Sequence, residues 1–497
     1  MKRQDQCQDR VDHQSEGVVH HRCGCCAGDL AQGVLGRRQF VKGVAMTAAA
    51  TALARLELLD LASSACGEVP KPAGGPRVRV VYVRPAEEPI VSWPGGNCDV
   101  PAQQALFTRT LRAAADKLGV RLEVRDEPIK GSEEVAKLLA ELKQAPPDGL
   151  IVGAMSLGFW KPVAEIVEKR GDIPTVIHSH VSGFTGHIAA CGRKTPKTLM
   201  AATQKVEWLA TAVRMFHTNW RIKNTRILQL AGAGADIKLA PWGTVIHPIA
   251  KTRFEEVLKQ VETSAEVRTI ADHYAKGAER IVEPSKEEIL TAAKNYIVLR
   301  RLMEAEKCHG VTVACLGWKD PVCMAFSKLL DEGVPGVCEC DHNAVIGELL
   351  SIHLLNRPGF IQDPSPNTVD NTFLGAHCTS PTRLEGYDSA ERAAYWLRSY
   401  HTQTGCSLEV MWPVGKAVTV LQTMARTPLI YVGTGRVRSN IAQPPSGCCR
   451  TAVELELDKT EDTRDVKGFH QLFILGSHAR TLAAYGRLFD IKVEALS

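Results

Sequence analysis

With 497 residues, 44% of them hydrophobic and 23% charged, the chain can bury two or three cores and is too apolar to be disordered. Its formal net charge of +5 is small and is swollen by a basic N-terminal segment, which excludes the dense positive surface of a nucleic-acid binder. No apolar run in the mature part reaches bilayer-spanning length, so no membrane span is expected there.

The first stretch with a reading of its own is Leu35-Gly36-Arg37-Arg38-Gln39-Phe40-Val41-Lys42. Paired arginines, an aromatic two residues on and then a basic residue resemble the twin-arginine export signal. An apolar run over 43–61 and the small residues Ser63-Ser64-Ala65 follow in the order that a signal peptidase needs. The resemblance implies an N-terminal extension and signal peptide over 1–66, the twin-arginine export machinery as a partner, and a periplasmic or extracellular mature chain. Residues 1–34, with Cys23, Cys25 and Cys26, are given no fold, and Cys66 stands behind a poor lipid-attachment sequence.

The mature chain then alternates strands and helices. Strands are expected at 77–83, 120–124, 149–153 and 175–178, and helices at 102–118, 133–144 and 162–169, which is the pattern of parallel βαβ units. A long helix is expected over 198–216. A second alternating set follows, with strands at 225–231, 267–270, 311–316 and 334–338 and helices at 253–261 and 321–332. Between them, Ser285-Lys286-Glu287-Glu288 is a capping box that opens a helix reaching about residue 308. From about 369 the pattern turns to strands, at 372–377, 408–412, 417–424, 428–432, 452–457 and 470–475, before a closing helix at 477–489. The fold class is α/β: two Rossmann-like parallel domains, 77–200 and 201–345, then a mostly antiparallel, barrel-like domain over 346–497.

Sixteen cysteines invite a disulfide or zinc framework, but the mature region has no Cys-x2-Cys pair. Cys315 and Cys323 sit singly in apolar runs, where the thiol acts as a small hydrophobe. Cys338 and Cys340 are expected on one strand face with Glu339 between them. A twin-arginine substrate folds before export in a reducing cytosol, which suits unpaired thiols. The vicinal pair Cys448-Cys449 has no assigned role.

The chemistry concentrates where 334–338 delivers Glu339 at a strand end. Asp341 can cap the next helix, whose Val345, Leu349, Ile352 and Leu355 form one stripe, and the chain returns through 360–362 to Asp363. The separation, 363 − 339 = 24 residues, fits one strand–helix–strand unit with both carboxylates at neighbouring strand ends, where ligands of open α/β sheets bind. His377 and His470 each lie in or beside an apolar strand, where a satisfied core histidine is the commoner role. Two carboxylates with one or two histidines make a hard-leaning set that suits Mn²⁺ or Mg²⁺ and supplies acid and base for moving a proton beside a carbonyl.

The motifs Gly336 to Glu339 with Asp341, Phe360-Ile361-Gln362-Asp363, Gly375-Ala376-His377-Cys378, Gly415-Lys416-Ala417-Val418-Thr419-Val420 and Gly468-Phe469-His470-Gln471 resemble the L-fucose/L-arabinose isomerase superfamily, the fucose side more closely. The resemblance spans about 77–497 and implies two α/β domains, a barrel-like C-terminal domain and Mn²⁺, or another divalent metal, on Glu339, Asp363 and His470. It further implies Glu339 and Asp363 as catalytic, His377 as a fourth member that touches substrate, and a homo-oligomer, trimer or hexamer. The residues ahead of His470, Asp465-Val466-Lys467-Gly468, lack the family's asparagine and aromatic sugar contacts, so the expected substrate is a small sugar other than L-fucose.

The function expected is therefore a metal-dependent aldose–ketose isomerase working through an enediol. An exported sugar-binding protein without catalysis is the alternative, followed by a nicotinamide-dependent oxidoreductase using Gly232-Ala233-Gly234, which lacks the third glycine of the dinucleotide fingerprint. His178-Ser179-His180 has metal-capable spacing, with His187 beyond it, but no carboxylate nearby in sequence. Trp318, followed by Lys319-Asp320, should face the same cleft as Glu339 and could stack on a sugar, or simply precede a helix.

Overall fold

Tyr82 and four valines of strand β1 (Arg77–Val83) are buried on both strand faces, as the central strand of a parallel sheet requires. The computed structural model describes residues 69–497 apart from 87–90, 93–95, 98, 157, 181–194, 317, 319–320, 401–402 and 444–447. The Arg37-Arg38 motif, Cys66, His187 and Lys319-Asp320 lie outside these residues. A minor hairpin, β2 (Val91–Ser92) and β3 (Gly96–Asn97), follows β1.

The first sheet runs in the order β4 (Arg121–Val124), β1, β5 (Gly149–Ala154), β6 (Thr175–Ser179) and β7 (Thr198–Ala202), with every pairing parallel. The Val100–Leu118 helix covers it with Phe107, Leu111 and Ala115; Asp99 caps its start and left-handed Gly119 ends it. Residues 198–216 do not form the expected single helix. Thr198 is fully buried and takes a hydrogen bond from the Arg170 guanidinium at 2.9 Å, so this segment completes the sheet and the helix starts only at Trp208 (Trp208–Lys223).

The second sheet has the order β13 (Gly336–Cys338), β12 (Gly310–Val313), β8 (Arg226–Ala231), β10 (Val245–Ala250) and β9 (Ile237–Lys238), parallel except for the β9–β10 pair. β10 escapes a pattern reading because Pro248 interrupts it; β9 reaches only Val245 and Ile246, so β10 tolerates the proline as an edge strand. The expected strand at 267–270 is instead helical, within Ala265–Gly277. The Ser264 hydroxyl caps it by accepting from the Val267 amide, and Val267, Ile270, Ala271 and Tyr274 fall on one buried stripe. The capping box at Ser285 and Glu288 forms as expected and opens Lys286–Ala305.

Beyond the His342–Leu354 helix the chain becomes antiparallel. One path runs β14 (Phe360–Ile361), β22 (Leu472–Leu475), β19 (Ala417–Met424), β20 (Leu429–Asn440), β21 (Thr451–Leu457), β16 (Thr372–His377) and β15 (Asp363–Asn367), with β23 (Lys492–Ala495) added to β20. Its two end strands, β14 and β15, are consecutive in the chain with only Gln362 between them, so the sheet must curl until its edges meet. Phe360, Phe373, Phe473 and Trp412 pack inside the curl, with ring centroids 5.8–6.4 Å apart. A small sheet of β11 (Arg280–Ile281), β17 (Tyr395–Arg398) and β18 (Ser407–Val410) joins a segment before residue 345 to one after it. The architecture is mixed α/β, with parallel sheets and a curled antiparallel one. One expectation fails here: β13, its helix and β14 are not a βαβ unit of one sheet, because β14 pairs antiparallel with β22.

Candidate metal centre

Glu339 and Asp363 meet because two sheets abut, not because two parallel strands lie side by side. Glu339 follows β13 with φ +62° and Cys340 follows with φ +56°, a left-handed pair that neither residue favours. The Glu339 amide still donates to Val313 O at 2.8 Å, so the turn is fastened to the sheet while the side chain leaves it. The same turn delivers Asp341 to cap the His342–Leu354 helix, one carboxylate oxygen accepting from the Ala344 amide at 3.0 Å. Cys340 is thus off the strand, and the expected shared face of Cys338 and Cys340 does not exist. Asp363 opens β15 opposite Ala376, and His377 ends β16.

His470 also has positive φ, +56°. Gly468, two residues before it, has φ +88°, and a Cβ there would lie 2.6 Å from the Gln422 side chain, which would have to move aside. Strain of about 1–3 kcal/mol per such non-glycine residue concentrates at functional sites. Here it falls on two of the side chains that converge.

Glu339, Asp363, His377 and His470 each offer a ligand atom, all within 4.8 Å of one another, the two histidines buried and the carboxylates half-buried. His470 Nε2 is 3.0 Å from Asp363 Oδ1 and 3.6 Å from Glu339 Oε2. Its Nδ1 lies 2.9 Å from the second oxygen of Asp341. A carboxylate accepts only, so Nδ1 donates to Asp341 and Nε2 donates to Asp363; an ion at the centre would displace the Nε2 proton, while Asp341 keeps the ring oriented through Nδ1. His377 is wired the other way. Its Nδ1 accepts the Cys378 amide at 2.9 Å, which places the proton on Nε2, 3.7 Å from Glu339 Oε1 and without a hydrogen bond. His470 is therefore set up as a ligand, and His377 as a group that aims an N–H into the same space.

The electrostatics agree. Burial alone would depress His470, but its hydrogen bonds to Asp341 and Asp363 hold it up at about 9. Burial acts to raise Asp363 and is overcome by His470, which keeps the carboxyl below its usual range. His377 is raised despite its burial, chiefly by Glu339. Among the described residues no lysine or arginine pairs with Glu339, Asp341 or Asp363; their ion-pair partners are the two histidines. Three carboxylates without a fixed cation, three donors in reach of one point and a correctly oriented imidazole fit a divalent ion.

The other sequence candidates lie differently. Trp318 is 6% exposed, with Lys251 Nζ 4.6 Å above its ring and Phe254 at 5.0 Å. His178 is buried against Phe107, and burial pushes it down to about 4; neither it nor His180 belongs to a metal-capable cluster among the described residues. The Gly232-Ala233-Gly234 turn leads into β9 and not into a helix, so the strand–turn–helix context of a dinucleotide site is missing. A cavity of about 820 Å³, lined by Arg170, Asn219, Trp242 and Phe489 among others, holds none of the four donors.

Three neighbours were not read from the pattern. Asp341 orients His470 as well as capping a helix. Phe469, 55% exposed, has its ring centroid 4.2 Å from that of His470, with the ring planes tilted by 44°. Cys449 lies 3.9 Å from Asp363 Oδ2. Only Asp341 left a signal, as a second acid two residues after Glu339. In comparisons with known proteins, no family model matches the chain and no curated protein is similar to it.

Proposed function

We propose that the chain is a metal-dependent aldose–ketose isomerase acting on a small sugar, with Glu339, Asp363 and His470 as the metal ligands. The observation that supports this is the opposite wiring of the two histidines around a pair of carboxylates. A divalent ion held there would polarise the substrate's carbonyl and adjacent hydroxyl oxygens. One of Glu339 and Asp363 takes the proton from the carbon next to the carbonyl and returns it to the former carbonyl carbon, while the other carries the hydroxyl proton from one substrate oxygen to the other, so that the reaction passes through an enediol. The His377 Nε2–H is placed to hydrogen-bond a substrate oxygen on the Glu339 side. Phe469 at the rim offers an apolar face for the sugar ring.

The test is turnover of an aldose and ketose panel in deuterated water by protein loaded with Mn²⁺ or another divalent metal. Deuterium at the carbon beside the carbonyl is expected, because a carboxylate-held proton exchanges with solvent. Turnover with no label would contradict the enediol route, and no turnover on any sugar would favour a binding protein. The twin-arginine motif, outside the described residues, carries a further proposal of export to the periplasm or beyond. Replacing Arg37 and Arg38 together by lysine is expected to retain the precursor in the cytosol, and unchanged export would exclude that route.

A further inference from the structure

The Trp208–Lys223 and His342–Leu354 helices pack against each other, and their contact gathers positive charge. Arg214, His217 and Arg221 follow at i, i+3 and i+7 of the first helix, which is one helical face. His353 of the second helix meets that face, its ring centroid 5.9 Å from that of His217 with the planes at 89°. The Arg214 guanidinium donates to His353 O at 3.4 Å and to Asn356 Oδ1 at 3.3 Å, so it lies over the end of the same helix. All four side chains are half-buried, open to solvent on one side. The group is remote from the metal centre: His353 stands 353 − 341 = 12 residues after Asp341, about 18 Å of helix.

This cluster is not satisfied from within. Three of its nitrogens, Nδ1 of His217, Nε of Arg221 and Nε2 of His353, are buried with no hydrogen-bond partner. An arginine in the last turns of a helix commonly donates to carbonyls there. Arg221 makes no such bond, and no carboxylate pairs with it among the described residues. Asp388, the acid that acts on Arg214, is taken up by Lys117 at 3.1 Å and by the Asn356 side-chain amide at 2.9 Å. Burial, then the two neighbouring arginines, push His217 down to about 4, and burial lowers Arg221 to about 10. Buried donors are seldom left without an acceptor, and an anion supplies several at once. The two arginines exclude a metal ion as the occupant.

We infer that this face binds a small oxyanion, phosphate or the phosphate group of a phosphorylated compound, on Arg221, His217 and His353, with Arg214 at its edge. A guanidinium offers paired N–H groups that match two oxygens of a phosphate, and each imidazole adds an N–H of its own. The site is independent of any ion at Glu339, Asp363 and His470.

The experiment is calorimetric titration of the full chain with sodium phosphate, and separately with glycerol phosphate, at an ionic strength held constant with sodium chloride. One phosphate per chain is expected. Arg221→Gln should weaken binding by about tenfold or more, and His217→Gln and His353→Gln by about three- to tenfold each, as charge-assisted hydrogen bonds are lost. Arg221→Lys, which keeps the charge and loses the paired N–H groups, should fall between wild type and Arg221→Gln. Lys223→Gln, at an exposed lysine of the same helix, and Asp363→Asn, at the metal centre, should bind phosphate as wild type does. Glycerol phosphate bound as tightly as phosphate would assign the site to a phosphorylated compound, and phosphate bound alone would assign it to the free ion. Wild-type protein that takes up no phosphate, or a Lys223→Gln variant that loses as much as Arg221→Gln, would overturn the inference. So would an Arg221→Gln variant that binds phosphate unchanged but sediments at a different mass, since a second copy of the chain would then cover this face.

Discussion

Two histidines in this molecule each bridge a pair of carboxylates, and the contrast between them separates an ion-pair network from a candidate centre. His247, half-buried in β10 of the second sheet, lies between Asp236 and Glu306 at 2.7 and 3.2 Å. Arg226 joins that group, 3.0 Å from Asp236, so its negative charge is met by a permanent cation. His470 lies between Asp341 and Asp363, at 2.9 and 3.0 Å, with Glu339 beside it and no lysine or arginine paired with the three acids among the described residues. The first arrangement satisfies itself. The second directs three carboxylates and an imidazole nitrogen at one point with no permanent cation among them, and that difference, more than residue type, marks a site for a cation.

Another carboxylate extends the comparison and carries the largest expected effect. Glu348 is fully buried, with one oxygen accepting the Gly359 amide at 3.1 Å and the other without a partner. Burial pushes its pKa up to about 8, against the opposing pull of the Gly359 N–H. The folded state thus holds this proton more tightly than the unfolded chain does. Its contribution to stability is complete below about pH 4.5 and is lost as the pH rises toward 8, by up to about 5 kcal/mol. Glu348→Gln should therefore gain stability relative to wild type at pH 9 and not at pH 4, as read by denaturant unfolding at both. Equal differences at both would contradict the assignment.

Removing a ligand comes next. Asp363→Asn or His470→Ala should weaken divalent-metal binding by more than about 100-fold while circular dichroism stays native, because these side chains lie at strand ends outside the cores. His377→Ala should leave the ion bound, since that ring turns its N–H inward; equal loss in all three would make His377 a ligand instead. Asp341→Asn should cost about 10–100-fold in metal affinity by releasing the Nδ1–H of His470. The smallest effect belongs to the self-compensated pair: Asp236→Asn should change stability by no more than about 1 kcal/mol and metal binding not at all.

Much of this was readable from the sequence because the signals are local. The strand at Arg77–Val83, the capping box at Ser285 and the cap at Asp341 depend on neighbours within a few residues. Thr198–Ala202 was not readable, because what holds it extended is Arg170 and strand β6, far away in the chain. The four converging side chains carry a signal in their types and motifs, but the way Glu339 and Asp363 meet does not follow from the order of elements along the chain. A single βαβ unit does not join them; the curled sheet does, by returning His470 and His377 to the same place. The orientation of His470, the second role of Asp341 and the approach of Cys449 belong to tertiary contacts, with Cys449 at |i−j| = 86 from Asp363 and Asp341 at |i−j| = 129 from His470. No local pattern encodes them.

The most direct test is the metal content of the full chain, measured by elemental analysis and native mass spectrometry after dialysis against a divalent-metal mixture, with and without chelator. One divalent ion per chain is predicted in wild type and Asp236→Asn, removable by chelator, with none in Asp363→Asn. Wild-type protein that takes up no ion, or an Asp363→Asn variant that keeps one, would contradict the assignment of this cluster as a metal centre.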